Sequence, residues 1–210
     1  MENSHPESGC PWMSKKGSVN PLNMMPEISQ NPAADQTIAL STVRESSTIP
    51  RNSESTWTYP SPQQFYNALL RRNKSAEPEM MESVVHVHNG VNEDSWRQVL
   101  EWEHMFHRST CAKPTLQRFV GKSEEPSLKS RFVKFTHKNE SLFDRHDWFV
   151  DRCGVESARY IIDYYDTSNV PGADPNGINV RIDTRPAPDT VSAVWDRIRK
   201  PIYDLVAKWT

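Results

Sequence analysis

Two β-type runs separated by a turn-rich loop constrain the fold of this chain more than any other feature. Residues 159–165 are rich in β-branched and aromatic side chains, and residues 179–183 alternate between polar and apolar types. The loop between them contains Pro171-Gly172 and Asn176-Gly177, which are typical turn pairs. The sequence therefore predicts two antiparallel strands joined by a long turn.

Helix signals occur on both sides of these runs. Ser61, Pro62 and Gln64 form an N-cap, a first-turn proline and a capping box, which predict a helix over 62–72. Apolar residues recur at helical spacing over 92–107, with Asn92 at the predicted start. Asp189 is predicted to cap a last helix, in which residues 191, 194, 195 and 198 share one face. With a further predicted strand over 131–135, we expect an α+β fold, with helices packed on a small antiparallel sheet.

The chain changes character near Trp57. Prolines are frequent before this residue, at positions 6, 11, 21, 26, 32 and 50, among Ser, Asn, Gln and Met residues. No helical or strand period persists there for more than a few residues. We therefore expect an extended or disordered, Pro-rich N-terminal arm over 1–56 and one folded domain over 57–210.

Composition argues against several classes of protein. The 25 basic and 27 acidic residues are mixed along the chain, so we expect no surface for nucleic acid. No apolar run reaches the roughly 18 residues of a membrane-spanning helix, and the mean hydropathy is -0.74. Cys10, Cys111 and Cys153 are widely spaced and odd in number, which favours reduced or unpaired thiols over a disulfide framework.

Residues 143–148, Phe-Asp-Arg-His-Asp-Trp, contain the candidate functional histidine. They place His146 between two carboxylates, next to a guanidinium and a large aromatic ring. Such an imidazole can ligate a metal with one nitrogen while a carboxylate holds the other. A solvated charged turn with an ordinary histidine explains the same six residues. His86 and His88 have the spacing that places two imidazoles on one face of a strand, but no third zinc ligand is in sequence range.

Many short blocks of the chain, in order, resemble the mitochondrial holocytochrome c synthase family, also called cytochrome c haem lyase. They lie at residues 40–45, 47–51, 59–68, 88–89, 92–93, 96, 102–103, 143–148, 152–154, 160–165, 185–189 and 194–197. The resemblance implies a carbon–sulfur lyase of the mitochondrial intermembrane space, peripheral on the inner membrane. Such an enzyme binds haem b and apocytochrome c and joins them by thioether bonds.

The resemblance also implies roles for single residues. The family's histidine in this motif is an axial ligand of the haem iron, which implies that His146 is the catalytic, iron-ligating residue. The other axial ligand would be the histidine of the substrate's Cys-x-x-Cys-His segment. From the residues themselves, we expect Asp144 or Asp147 to orient the imidazole and Trp148 to wall the macrocycle. His88 matches a second histidine block, and either shapes the haem or peptide site or makes a structural hydrogen bond.

Haem has two propionates, for which guanidinium groups are suitable partners. Arg145 is the first candidate because it adjoins His146, and Arg181 and Arg185 are further candidates. Ordinary surface salt bridges explain each of the three arginines as well. Trp96 is a candidate for contact with the ring, although its helical spacing favours a place in the core.

Two other functions remain open at this point. A non-catalytic haem carrier or sensor would need His146 but no site for apocytochrome c. Cys10-Pro11 resembles a Cys-Pro haem-regulatory motif, which we do not place in the catalytic site. A pure interaction module would use the aromatic and charged motifs as a protein interface.

Overall fold

A computed structural model describes residues 19–20, 25–34, 36–122, 125, 127, 129–130, 133, 136–137, 139–175 and 177–207. Its elements, in chain order, are β1 (Val19–Asn20), β2 (Met25–Pro26), β3 (Ser46–Pro50), β4 (Thr56–Thr58), α1 (Pro62–Arg71), a 3-10 turn (Pro78–Met80), α2 (Met81–Phe106), β5 (Thr115–Gly121), β6 (Ser141–Arg152), β7 (Glu156–Asp166), β8 (Val180–Pro186) and α3 (Val191–Ala207). The predicted α+β class is confirmed.

The main sheet has the order β5-β6-β7-β8, and all neighbouring strands are antiparallel. The predicted pair of strands is confirmed, since Asp163 on β7 lies opposite Asp183 on β8. Strand β6 was not predicted. Charged residues occur on both of its faces, with Asp144 and Arg152 on the face of His146 and Asp147 and Asp151 on the other, so its sequence lacks the simple alternation of a half-buried strand.

Helix α2 lies across one face of this sheet and forms the core with it. Because successive strand residues point to opposite faces, the even-numbered residues of β6 and β7 face α2. The buried core consists of Ile49, Trp96, Val99, Trp102, Leu116, Trp148, Val150, Ala158, Tyr160, Ile162 and Tyr164. Trp102 also donates from Nε1 to the carbonyl of Thr184 at 2.9 Å, so its ring is a core ring.

The other face of the sheet carries paired charges. Asp147 accepts from Arg145 at 3.0 Å and from Arg159 at 2.6 Å. Asp163, which is fully buried, accepts from Arg185 at 2.6 Å. This ionic face explains the charged residues at positions 145 and 147 of β6.

The first two predicted helices differ in accuracy. Helix α1 is confirmed with its capping box, in which Ser61 Oγ accepts from the Gln64 N–H at 3.2 Å. Helix α2 begins at Met81, not at residue 92, because Asn92 donates to the His88 carbonyl inside the helix at 2.7 Å instead of capping it. His88 is therefore helical, and the strand geometry expected for His86 and His88 is wrong.

The cap of α3 and the segment before β6 differ from the prediction. Thr190, rather than Asp189, caps α3, since its Oγ1 accepts from the Ala193 N–H at 3.1 Å. Asp189 instead pairs with Arg159 at 2.6 Å. In the predicted strand over 131–135, Val133 is helical and the other four residues lie outside the described part of the chain.

Cys111 and Cys153 form a disulfide, so the expectation of reduced or unpaired thiols is wrong for these two residues. They are 42 residues apart in sequence, with a Cα–Cα distance of 5.5 Å. Cys111 lies just before β5 and Cys153 just after β6, and the antiparallel pairing of these strands brings the two ends together. Cys10 lies outside the described residues.

The described part of the predicted arm packs against the rest of the protein. Ile49 in β3 is buried in the core, and Asn67 of α1 donates to the carbonyls of Ser29 at 3.0 Å and Asn31 at 2.9 Å. Residues shortly before Trp57 thus contribute to the folded body, while a division of the chain at residue 56 remains a prediction. None of the helices described is both long and apolar enough to span a membrane.

Candidate functional site

His146 lies on the face of the sheet that α2 covers. It sits opposite Gly121 on β5 and Ile162 on β7, and its side chain is 18% exposed. Its ring meets the ring of Tyr164 edge-on, with centroids 5.4 Å apart. The Tyr164 hydroxyl is 3.1 Å from Ser95 Oγ on α2, so a fixed, buried wall supports the imidazole.

The two ring nitrogens of His146 have different surroundings. Nε2 is 3.1 Å from the Asp144 carboxylate, whereas Nδ1 is buried and has no hydrogen-bond partner. Burial alone would raise the pKa of Asp144, but the hydrogen bond and charge of His146 and the Arg145 backbone N–H lower it below its ordinary value. The contact predicted for Asp144 or Asp147 is therefore made by Asp144. Asp147 lies on the opposite face of the sheet.

Gly121 lies beside the Cδ2–Nε2 edge of the His146 imidazole. A Cβ atom at this position would lie 3.7 Å from both Cδ2 and Nε2 of His146. That is an ordinary contact distance, so alanine fits, but a longer side chain on β5 would cover Nε2. No sequence signal pointed to Gly121, because its importance comes only from its cross-strand position.

Helix α2 brings His88 into the same site. Its ring meets that of Phe65 edge-on at 5.0 Å, and its Nε2 is 3.3 Å from the Asn92 amide nitrogen. Burial lowers the pKa of His88 and the charge of His146 lowers it further, although Asn89 and Asp144 act in the opposite direction. The charge of His146 thus acts on His88, and the pKa of His88 lies below its ordinary value.

A polar cluster fixes the N-terminal strands beside His88. Glu93 of α2 accepts from the Tyr59 hydroxyl at 2.8 Å and from the Thr48 N–H at 3.0 Å. Asn89, one residue after His88, donates to Glu45 at 2.8 Å. These contacts tie residues 45–59 to the turn of α2 that presents His88, which the sequence alone did not indicate.

The predicted tryptophans lie in the core rather than at an open site. Trp96 and Trp148 face each other with ring centroids 6.5 Å apart, and they are 4% and 1% exposed. Trp148 is on the same face of the sheet as His146, and Trp96 packs on that face from α2. A haem-contacting role for either residue remains a prediction that their burial does not favour.

The predicted arginines lie on the far face of the sheet. Arg145 is bound to Asp147, and Arg185 is bound to Asp163. The reason for choosing Arg145, its adjacency to His146, does not hold on a strand, where neighbouring side chains point to opposite faces. The structure therefore groups His146 with His88 and separates both from these two guanidinium groups.

The potential metal ligands of this site suit haem iron, which already has ligands of its own. Within the described ranges, no group of three or more His, Cys, Asp or Glu side chains is arranged to hold a metal ion. A zinc ion bound by protein alone would need three or four such ligands. Haem iron already has four pyrrole nitrogens and takes only axial ligands from protein, for which a single histidine suffices.

Comparison with known proteins agrees with the resemblance in the motifs. The sequence profile of the family described as "Cytochrome c/c1 heme lyase" matches residues 2–201. The chain is 41% identical to a "Probable holocytochrome-c-type synthase" of Caenorhabditis elegans, over 99% of this chain and 74% of the relative. It is 43% identical to a "Holocytochrome c-type synthase" of Gallus gallus over 95% of this chain and 75% of the relative, and 44% identical to that of Homo sapiens over 88% and 69%. No solved structure matches the chain.

Proposed function

Because the chain belongs to the cytochrome c/c1 heme lyase family, we propose that it is a holocytochrome c synthase that attaches haem b to apocytochrome c. Each of the two thiols in the substrate's Cys-x-x-Cys-His segment adds across one haem vinyl group. The sulfur bonds to one vinyl carbon and a hydrogen to the other, so the addition needs no external oxidant. The enzyme's main task is to hold iron, macrocycle and peptide in one geometry.

The observation that carries this proposal is the environment of His146. A neutral imidazole that donates from Nε2 to Asp144 keeps its lone pair on Nδ1, which has no hydrogen-bond partner. His146 is thus held by a carboxylate at one nitrogen and has no hydrogen bond at the other, a pattern that metal-ligating histidines share. Because Nδ1 is buried, iron binding requires the ring to turn or its neighbours to move.

His88 is proposed to shape the haem or peptide site as a neutral side chain. Its lowered pKa favours the uncharged ring, which keeps a positive charge away from the iron that His146 would bind. Its contacts with Asn92 and Phe65 hold the ring in place. His88 therefore serves the site by position rather than as a second ligand.

We further propose that the protein acts in the mitochondrial intermembrane space, as a peripheral protein of the inner membrane. The family resemblance supports this location. The disulfide between Cys111 and Cys153 is compatible with it, because such bonds persist in oxidising compartments and are rare where glutathione keeps thiols reduced.

The test is thioether formation on substrate peptides. Purified protein is mixed with reduced haem and an apocytochrome c peptide, and attachment is read from the pyridine haemochrome spectrum and the peptide mass. We expect the normal peptide to gain one haem through two thioethers. A peptide without the ligand histidine should be attached poorly, because it loses the iron contact that places its thiols beside the vinyl groups.

Variant substrate peptides distinguish a synthase from a haem carrier. Removing one substrate cysteine should still leave a single thioether at the other vinyl group. If haem binds but no peptide is ever attached, the protein is a haem carrier or sensor and not a synthase. Equal attachment of the histidine-less peptide would contradict positioning through the iron.

A further inference from the structure

Phe143 is an exposed aromatic residue on the strand that carries His146. It is 51% exposed, and in the described part of the chain it is the one exposed Phe, Trp or Tyr residue outside α3. Trp96 and Trp148, the two tryptophans predicted to contact haem, are buried instead. Its exposure leaves the ring of Phe143 able to contact a ligand.

A β-bulge turns Phe143 to the face of the sheet on which His146 lies. The register between β6 and β7 shifts between Leu142 and Asp144, so Phe143 is an extra residue on β6. In a regular strand, alternation would place its side chain on the far face, among the paired charges. A bulge redirects a side chain. The ring of Phe143 accordingly lies against that of Tyr164, with centroids 6.2 Å apart.

Phe143 and His146 contact the same buried ring. The ring planes of Phe143 and Tyr164 are inclined by 38°, and the His146 imidazole meets Tyr164 edge-on at 5.4 Å. Because the Tyr164 hydroxyl is 3.1 Å from Ser95 Oγ, this ring is a fixed support for both side chains. At a strand rise of about 3.3 Å per residue, the Cα atoms of Phe143 and His146 lie within about 10 Å of each other. This separation is comparable with the width of a porphyrin ring.

Strand β5 does not extend alongside Phe143. It ends at Gly121, opposite His146, whereas β6 pairs with β7 along its whole length. The chain after β5 has reached the far face by Glu125, whose carbonyl accepts from Arg145 at 2.6 Å. Within the described strands, the start of β6 is therefore paired on one side only, which agrees with the exposure of Phe143.

A role in the core alone does not explain this position. The buried residues of the core cluster are at most 9% exposed, and Phe143 does not belong to the cluster or to the hydrophobic residues packed against it. Replacing Phe143 with a smaller residue therefore removes little buried apolar area, and we expect the fold to survive the change.

We propose that Phe143 packs on the haem macrocycle, on the side of the ring where His146 would ligate the iron. This inference rests on the synthase proposal and deepens it, because it adds a contact with the ring to the ligation of the metal. Aromatic side chains gain energy beyond apolar burial when they pack offset or edge-on against another π-system. A single axial ligand leaves the macrocycle free to rotate about the iron–nitrogen bond. A second contact away from the iron restricts this rotation, which helps to place the vinyl groups beside the substrate thiols.

The experiment measures the binding of metal-free protoporphyrin IX to the full chain, followed by the fluorescence of the porphyrin. This probe has the macrocycle and side groups of haem but no iron, so His146 cannot ligate it. Phe143→Ala should weaken binding about tenfold, because the ring contact is lost. Phe143→Tyr should bind like the unmodified chain, because the aromatic ring remains. Trp195→Ala is the matched control, since Trp195 is 57% exposed but lies on α3.

The haem spectrum provides a second measurement. Phe143→Ala should lower the affinity for haem by a similar factor while the Soret maximum of the bound haem stays that of the unmodified chain. His146→Gly, in contrast, should change the spectrum itself, because it removes the proposed iron ligand. Circular dichroism checks that each variant is folded.

The inference is overturned if Phe143→Ala and the unmodified chain bind protoporphyrin equally, or if Trp195→Ala loses as much affinity as Phe143→Ala. It is also overturned if the unmodified chain does not bind the metal-free ring. A Phe143→Ala variant that keeps its affinity for porphyrin but loses affinity for the apocytochrome c peptide would show that Phe143 contacts the peptide instead. The synthase proposal is tested separately, by thioether formation with iron-containing haem.

Discussion

Replacing Glu103 with alanine should strongly destabilise the fold, because this residue anchors α2 to the sheet. Its two carboxylate oxygens accept from Arg152 of β6 at 2.8 and 2.9 Å, and one also accepts from the Tyr160 hydroxyl at 2.6 Å. The side chains of Glu103 and Arg152 are 0% and 2% exposed. Glu103→Ala therefore leaves a buried guanidinium that has lost its main partner.

The expected loss of unfolding free energy is about 3 kcal/mol. Breaking a buried ion pair at one partner typically costs roughly 3–5 kcal/mol, since the remaining charge stays desolvated. The lower end applies because Arg152 keeps a bond of 2.7 Å to Glu156, which is 37% exposed. Asp94→Ala, which removes an exposed partner of Arg97, should cost only about 0–1 kcal/mol and serves as the control.

Urea denaturation followed by circular dichroism measures both losses from the midpoint and slope of the transition. The same variant should weaken haem binding, because α2 carries His88 and β6 carries His146. If the free energy of unfolding of Glu103→Ala were within about 1 kcal/mol of that of the unmodified protein, as expected for the Asp94 control, the buried pair would not hold α2 and β6 together.

Three further changes test other parts of the structure. Cys153→Ser should lower stability by about 4 kcal/mol under oxidising conditions, because it frees a 42-residue loop. The contribution of His88 to the free energy of unfolding should be largest above pH 6.5, its ordinary pKa. It should decline as the pH falls below 6.5 toward the lower folded-state pKa, since the unfolded chain takes up the proton first. Ile49→Ala should cost about 2–4 kcal/mol, because Ile49 is 2% exposed in the core.

Denaturation curves decide each case. For Cys153→Ser, addition of reductant should destabilise the unmodified chain but not the variant, and equal sensitivity would contradict the disulfide. For His88, the melting temperature of His88→Gln should fall less than that of the unmodified chain on acidification, and parallel curves would refute the linkage. If Ile49→Ala left the free energy of unfolding unchanged, β3 would not belong to the core.

The sequence predicted elements whose signals are local. Ser61 and Gln64 form a capping box within four residues, so α1 was placed within one residue of its observed end. The residues of β7 and the turn pairs after it identified an antiparallel pair. The predicted start of α2 is wrong because an asparagine can either cap a helix or bond to a carbonyl within one, and Asn92 does the second.

The site itself depends on long-range pairing that no local pattern encodes. The contact of His146 with Asp144 could be anticipated from two residues on one strand face, but its contact with Gly121 arises from the β5–β6 register. Arg145 adjoins His146 in sequence but lies on the opposite face of the sheet, because successive side chains of a strand point to opposite faces. The disulfide likewise forms only after β5 and β6 pair.

The measurement that tests the central claim most directly is the haem spectrum of a His146→Gly variant, with and without added imidazole. We predict that this variant loses the Soret band of bound haem and thioether formation. Its circular dichroism should be unchanged, since an imidazole that is 18% exposed contributes little to the core. Free imidazole should restore part of the haem signal, and His104→Ala, which alters a helix residue with no proposed role, should behave like the unmodified chain. A His146→Gly variant that binds haem and forms thioethers normally would show that His146 is not the iron ligand.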